Sequence, residues 1–150
     1  MTYILNKPYF LFLALIIVFL IVGFLNAKEI LGINIHDTYY VISYRDLGII
    51  LSFIYSFLAI VYFLLIQFNF RLIKWMTITH VVISIGGLLL ILGFYKLIRE
   101  TQPGDFESLI KNIDFNAKIT IAIFSSVFAI IIIQILFFVN VIQALIKGKI

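Results

Sequence analysis

The sequence predicts an all-α integral membrane protein, a single domain over residues 1–150 whose four helices cross the bilayer. Three observations carry this. The chain is 64% apolar and 12% charged, whereas a soluble domain is roughly half apolar and a quarter charged; a soluble core of this size cannot hide so much apolar surface. Four runs, about 8–25, 47–70, 75–95 and 119–146, approach or exceed the ~20 apolar residues that a helix needs to cross the hydrocarbon. The runs also lack the alternation of polar and apolar residues that marks membrane-barrel strands. Helix is then the form in which each backbone group finds its partner inside the segment.

The first run, Pro8 to Leu25, carries no charge. Its apolar core is longer than a signal peptide's, and Asn26-Ala27 is a poor cleavage site, so a retained helix is expected. The second, Leu47 to Phe70, is interrupted by Ser, Tyr, Gln67 and Asn69; the third, Trp75 to Tyr95, contains His80. The fourth, Ile119 to Ile146, holds Gln134 and Asn140 and is long enough to tilt. Before it, Pro103-Gly104 signals a turn, and Phe106 to Asn112 is expected to form a short amphipathic helix on the membrane surface. There are no cysteines, which excludes disulfides and thiolate metal sites.

Four crossings put both termini on one side. With the N terminus inside, the inner segments hold Lys7, Arg71, Lys74, Lys147 and Lys149 and no acid. The acids Glu29, Asp37, Asp46, Glu100, Asp105, Glu107 and Asp114 then fall outside, together with Lys28, Arg45, Lys96, Arg99, Lys111 and Lys118. The inner segments are the shorter ones, so their basic density is higher and both termini are expected in the cytoplasm, with a bacterial inner membrane as the expected setting. The basic pI does not point to nucleic acid, because no aromatic-plus-basic surface stands outside the apolar runs.

Small and hydroxyl residues recur at spacings of three and four. Gly48, Ser52, Tyr55, Ser56, Ala59 and Tyr62 make one stripe, Thr77, His80, Ser84 and Gly87 a second, and Ala122, Ser126, Ala129, Asn140 and Gln143 a third. Such stripes let helices approach and hydrogen-bond across the contact. A polar pathway is the competing reading, but no Asp, Glu, Lys or Arg lies deep in any run to serve a proton relay or ion site. For His80 the expectation is a neutral imidazole bonded to a neighbouring helix. A metal or haem ligand is the lesser reading, since zinc usually wants three or four ligands.

Between the first two runs stands His36-Asp37-Thr38-Tyr39-Tyr40-Val41. Tyrosines suit the lipid–water boundary, Asp37 or Asp46 could cap a helix, and His36 with Asp37 could share a divalent cation if a partner subunit supplied further ligands. The string resembles the HDTYYV signature of subunit I of the haem-copper (cytochrome c) oxidases, where it lies on the outer side between transmembrane helices IX and X. The likeness implies that the chain corresponds in order to helices IX–XII, with Thr79-His80-Val81 at the start of helix XI. In that family the string is followed by a pair of haem-ligating histidines. Those positions fall here on Tyr44 and Asp46, with Arg45 between them, and the copper ligands belong to helices this chain lacks. Oxygen reduction is therefore not expected, and no haem or other resident cofactor is. The family places the His-Asp pair near a haem propionate and a magnesium ion at the contact with subunit II.

The expected function is that of a noncatalytic, oxidase-subunit-I-like accessory or scaffold subunit in a larger membrane complex, with other membrane subunits, respiratory ones among them, as partners. The competing expectations are a homo-oligomeric small channel or transporter and, behind it, a haem- or metal-binding electron-transfer protein using His36, Tyr44 or His80.

Overall fold

The computed structural model describes residues 7–35, 38–99 and 106–149, the side chains of 33–35 and 106–108 excepted. The described residues form the helices α1 (Tyr9–Leu25), α2 (Tyr44–Gln67), α3 (Lys74–Tyr95) and α4 (Phe106–Lys147). Between α1 and α2 the strands β1 (Ile30–Ile35) and β2 (Thr38–Ser43) pair antiparallel, from Ile30 opposite Ser43 to Ile35 opposite Thr38. This two-stranded ribbon is an addition to the all-α architecture. Among the described residues, three helical stretches are long and apolar enough to cross a membrane: Tyr44–Gln67, Lys74–Tyr95 and Leu109–Lys147. α1 is more apolar than these but has 17 residues, about 25 Å at 1.5 Å per residue.

Local chemistry sets the helix ends. Ser43 precedes α2 with extended backbone, and its Oγ accepts the Asp46 N–H at 3.0 Å. Ser43 is thus the N-cap, in the Ser-x-x-Asp arrangement of a helix start. This advances α2 by three residues from the apolar run. At its other end Asn69 turns left-handed at φ 57°. Phe70 N–H then reaches the Leu65 carbonyl and Asn69 N–H the Ile66 carbonyl, the pairing of a Schellman stop. Asn26 closes α1 by donating from both its backbone and its side-chain amide to the Val22 carbonyl.

The short surface helix expected over Phe106 to Asn112 is not separate. It is the first part of α4, a continuous helix of 42 residues. No Gly or Pro lies between Gly104 and Gly148, so nothing in that interval breaks the backbone pattern. Gly148, at φ 74°, ends it.

The chain gathers into two compact units, residues 1–71 with 148–150 and residues 72–147. The first is an antiparallel helical hairpin of α1 and α2 with the ribbon as its connection. Its core is Phe12, Tyr55, Leu58, Ala59, Tyr62 and Leu65. The Phe12 and Tyr62 rings stack at 5.8 Å, and Phe19 meets the edge of Tyr55 at 5.3 Å. The second is an antiparallel hairpin of α3 and α4 whose core is Val81, Ile133, Phe137 and Ala144 around buried polar groups. Outside these seams the helices are covered with exposed Ile, Leu, Val and Phe. In α4, 11% of the most apolar window is buried.

Candidate functional site

The polar residues of the helical stripes converge in the seam of each hairpin. In the first unit, Gly23 of α1 and Gly48 of α2 bring the two backbones together. A Cβ on Gly48 would lie 2.7 Å from the Phe19 carbonyl oxygen, and one on Gly23 would lie 2.9 Å from that of Tyr44. Two glycines allow this approach because neither carries a side chain. One turn further along α2, the Ser52 hydroxyl donates to the Ile16 carbonyl at 3.4 Å. Ser52, Tyr55 and Tyr62 are buried as the spacing predicts, and Ser56 is half-buried at the edge of the stripe.

The second unit has the denser network. The Asn140 amide of α4 meets the residue just before α3: the Ile73 N–H donates to Asn140 Oδ1 at 2.8 Å, and Asn140 Nδ2 reaches the Ile73 carbonyl at 3.4 Å. The same Nδ2 donates to Thr77 Oγ1 at 2.9 Å, and the Thr77 hydroxyl donates to the Ile73 carbonyl at 3.3 Å. Ile73 has no capping side chain of its own, so Asn140 supplies from the facing helix the acceptor that a local cap would give. One turn on, Gln134 Nε2 donates to the Ile130 carbonyl, which turns Oε1 toward His80. His80 Nε2–H therefore donates to Gln134 at 3.1 Å, and its ring stacks on Phe137 at 4.9 Å. A histidine bonded to a neighbouring helix is the arrangement expected from the sequence. Ser84 is buried on the same face, and Gly87 lies under the Ile130 side chain.

A matching contact closes the other end of the hairpin. Asn116 Oδ1 accepts the Arg99 N–H at 2.9 Å, and its Nδ2 donates to the Arg99 carbonyl at 2.8 Å. The Arg99 guanidinium lies 3.8 Å over the Phe115 ring. Thus one asparagine of α4 holds the chain just before α3, and another holds it just after.

The third stripe needs correcting. Ala129 is exposed; the face that α4 turns to α3 runs through Ser126, Ile130, Ile133, Phe137, Asn140 and Ala144. This contact is filled by large side chains, with Gly87 giving way on the opposite helix. Ser126 donates back to the Ala122 carbonyl of its own helix.

Tyr44 and Asp46, which the oxidase resemblance would align with haem-ligating histidines, open α2. Asp46 is exposed and pairs with its neighbour Arg45 at 3.3 Å, a contact of small energetic weight at a solvated site. Asp46 sits three residues past the cap that Ser43 provides, so it does not fill the capping role considered for it. Among the described residues no group of three or more His, Asp or Glu side chains gathers as a metal site. His36 and Asp37 lie outside the described residues.

The residues that sequence reading missed are Ser43, Gly23, Asn116 and the partner of Gln134. Ser43 carried a signal, the Ser-x-x-Asp spacing. Gly23 and Asn116 carried none, because each matters through the residue that faces it. Compared with protein-family models, with curated proteins and with solved structures, the chain matches none.

Proposed function

We propose that the chain is a noncatalytic subunit that contributes membrane helices to a larger complex. In this reading it is related in arrangement to the last four helices of haem-copper oxidase subunit I, with both termini in the cytoplasm of a bacterial cell. The observation that carries the proposal is where the polar groups at depth point. Asn140 uses its acceptor and both donors inside the hairpin seam, and both ends of the Gln134 amide are also engaged. What remains outward along the apolar stretches is mostly Ile, Leu, Val and Phe, with Ser125 an exception on α4. Such a surface suits lipid and other membrane helices. Tyr44 and Asp46 in place of the two histidines support the absence of haem chemistry. If His36 and Asp37 hold a divalent cation, a partner subunit supplies the remaining ligands.

The test is to tag the C terminus, purify the protein from its native membrane in mild detergent, and identify by mass spectrometry every polypeptide present in stoichiometric amount. A defined set of partners is expected. The chain alone as a monodisperse oligomer would favour the channel or transporter reading instead. A haem spectrum at one haem per chain would overturn the noncatalytic reading.

A further inference from the structure

We propose that each hairpin, at its own acid-free end, binds the phosphate headgroups of anionic phospholipids. The residues are Arg71 and Lys149 in the first unit and Lys74 and Lys147 in the second, all exposed, with Trp75 next to Lys74 in the chain. Within the first unit, Phe70 and Lys149 pair through their backbones, and the Lys149 ammonium lies 5.6 Å from the Phe68 ring. Arg71 follows Phe70 directly. Within the second unit, Lys74 opens α3 and Lys147 closes α4, and the Asn140 contact with Ile73 fixes these at the same end of the hairpin. No Asp or Glu occurs between Asp46 and Glu100 or after Asp114, so the chain brings no carboxylate side chain to this end.

The opposite ends are different. There Arg45 pairs with Asp46 at 3.3 Å and Lys118 with Asp114 at 3.4 Å. Cations and acids are interleaved and largely cancel. Charge that is uncompensated within the chain attracts external anions, and at the mouth of a membrane hairpin the anions held at the right height are lipid phosphates. Each Lys or Arg near such a surface strengthens binding by about fivefold. Trp75, 58% exposed, fits the same level, where indole rings favour the interface. The proposal rests on the membrane-spanning reading but not on the scaffold reading.

Trp75 is the chain's one tryptophan and so reports from the acid-free end of the second hairpin. The protein would be reconstituted in symmetric vesicles of phosphatidylcholine and phosphatidylglycerol, with one or the other brominated, and quenching of Trp75 would be read. Symmetric vesicles make the result independent of insertion direction. The expected result is a preference for phosphatidylglycerol of about fivefold or more. It should fall toward unity in R71Q/K74Q/K147Q/K149Q, and in the unaltered protein at roughly 0.5 M salt, where the screening length drops below about 5 Å. A K96Q/K111Q/K118Q control should keep it. Equal quenching by both lipids would overturn the proposal while leaving the membrane reading intact; no quenching by either would overturn both. Competition by inorganic phosphate beyond matched chloride would assign the surface to a soluble anion and overturn the lipid assignment.

Discussion

Asn140 is the residue on which the second hairpin most depends. Replacing it with Leu leaves the Ile73 N–H without its acceptor and takes a donor from Thr77. Interhelical hydrogen bonds in membranes contribute about 0.6–2 kcal/mol, and an orphaned buried donor costs about 1–3. Asn140→Leu should therefore destabilise the detergent-solubilised protein by about 1–3 kcal/mol in a denaturing-detergent titration. Ile142→Ala, on the exposed face of the same helix, should change little. Ser43 can be judged in the same way. Ser43→Ala removes the acceptor for Asp46 N–H and should cost about 1 kcal/mol. Hydrogen exchange should quicken in the first turn of α2, and no change there would exclude the cap.

The elements are held by close approach as much as by bonding. At the Gly23–Gly48 crossing the nearest atoms are backbone and cannot swing aside. Gly48→Ala should separate α1 from α2 and destabilise by about 1–3 kcal/mol. Gly86 on α3 is the internal comparison, since a Cβ there meets nothing within 4 Å. Alanine is the better helix former by up to about 1 kcal/mol, so Gly86→Ala should be neutral or stabilising in the same titration. If both substitutions had the same effect, backbone contact would not be what joins α1 to α2. The stripe spacings revealed most of α2 and α3, because a helix repeats every 3.6 residues whatever it packs against. They misplaced part of α4, because Ala129 is small but faces outward. Residue size does not reveal direction when the contact itself is built from Ile133 and Phe137.

For the whole molecule the open quantity is the number of crossings. α1 has 17 residues, near the lower limit for a span, whereas α4, at 42, is about 63 Å long and outruns the ~30 Å hydrocarbon by a factor of two. The chain has no cysteine, so single cysteines can map its sides directly. With four crossings and the termini inside, as proposed, Lys28→Cys, Arg45→Cys and Ile110→Cys should react with an impermeant thiol reagent from outside, and Arg71→Cys and Lys149→Cys only after the inner face is opened. Labelling of both Arg45→Cys and Arg71→Cys from the outside would show that α2 does not cross.

The sequence by itself determined which segments are apolar enough to cross a membrane, the limits of α1, α2 and α3 to within about three residues, and which faces of α2 and α3 are buried. These follow from quantities that add locally along a chain: apolar length, helical period and the positions of Gly, Pro and capping residues. Only the tertiary structure decided that Asn140 serves Ile73, that Asn116 serves Arg99, that Gln134 orients His80 and that Gly23 meets Gly48. Each is a pairing between distant positions. Periodicity fixes the face a residue occupies, but the register of one helix against another is set by the summed packing of the whole contact.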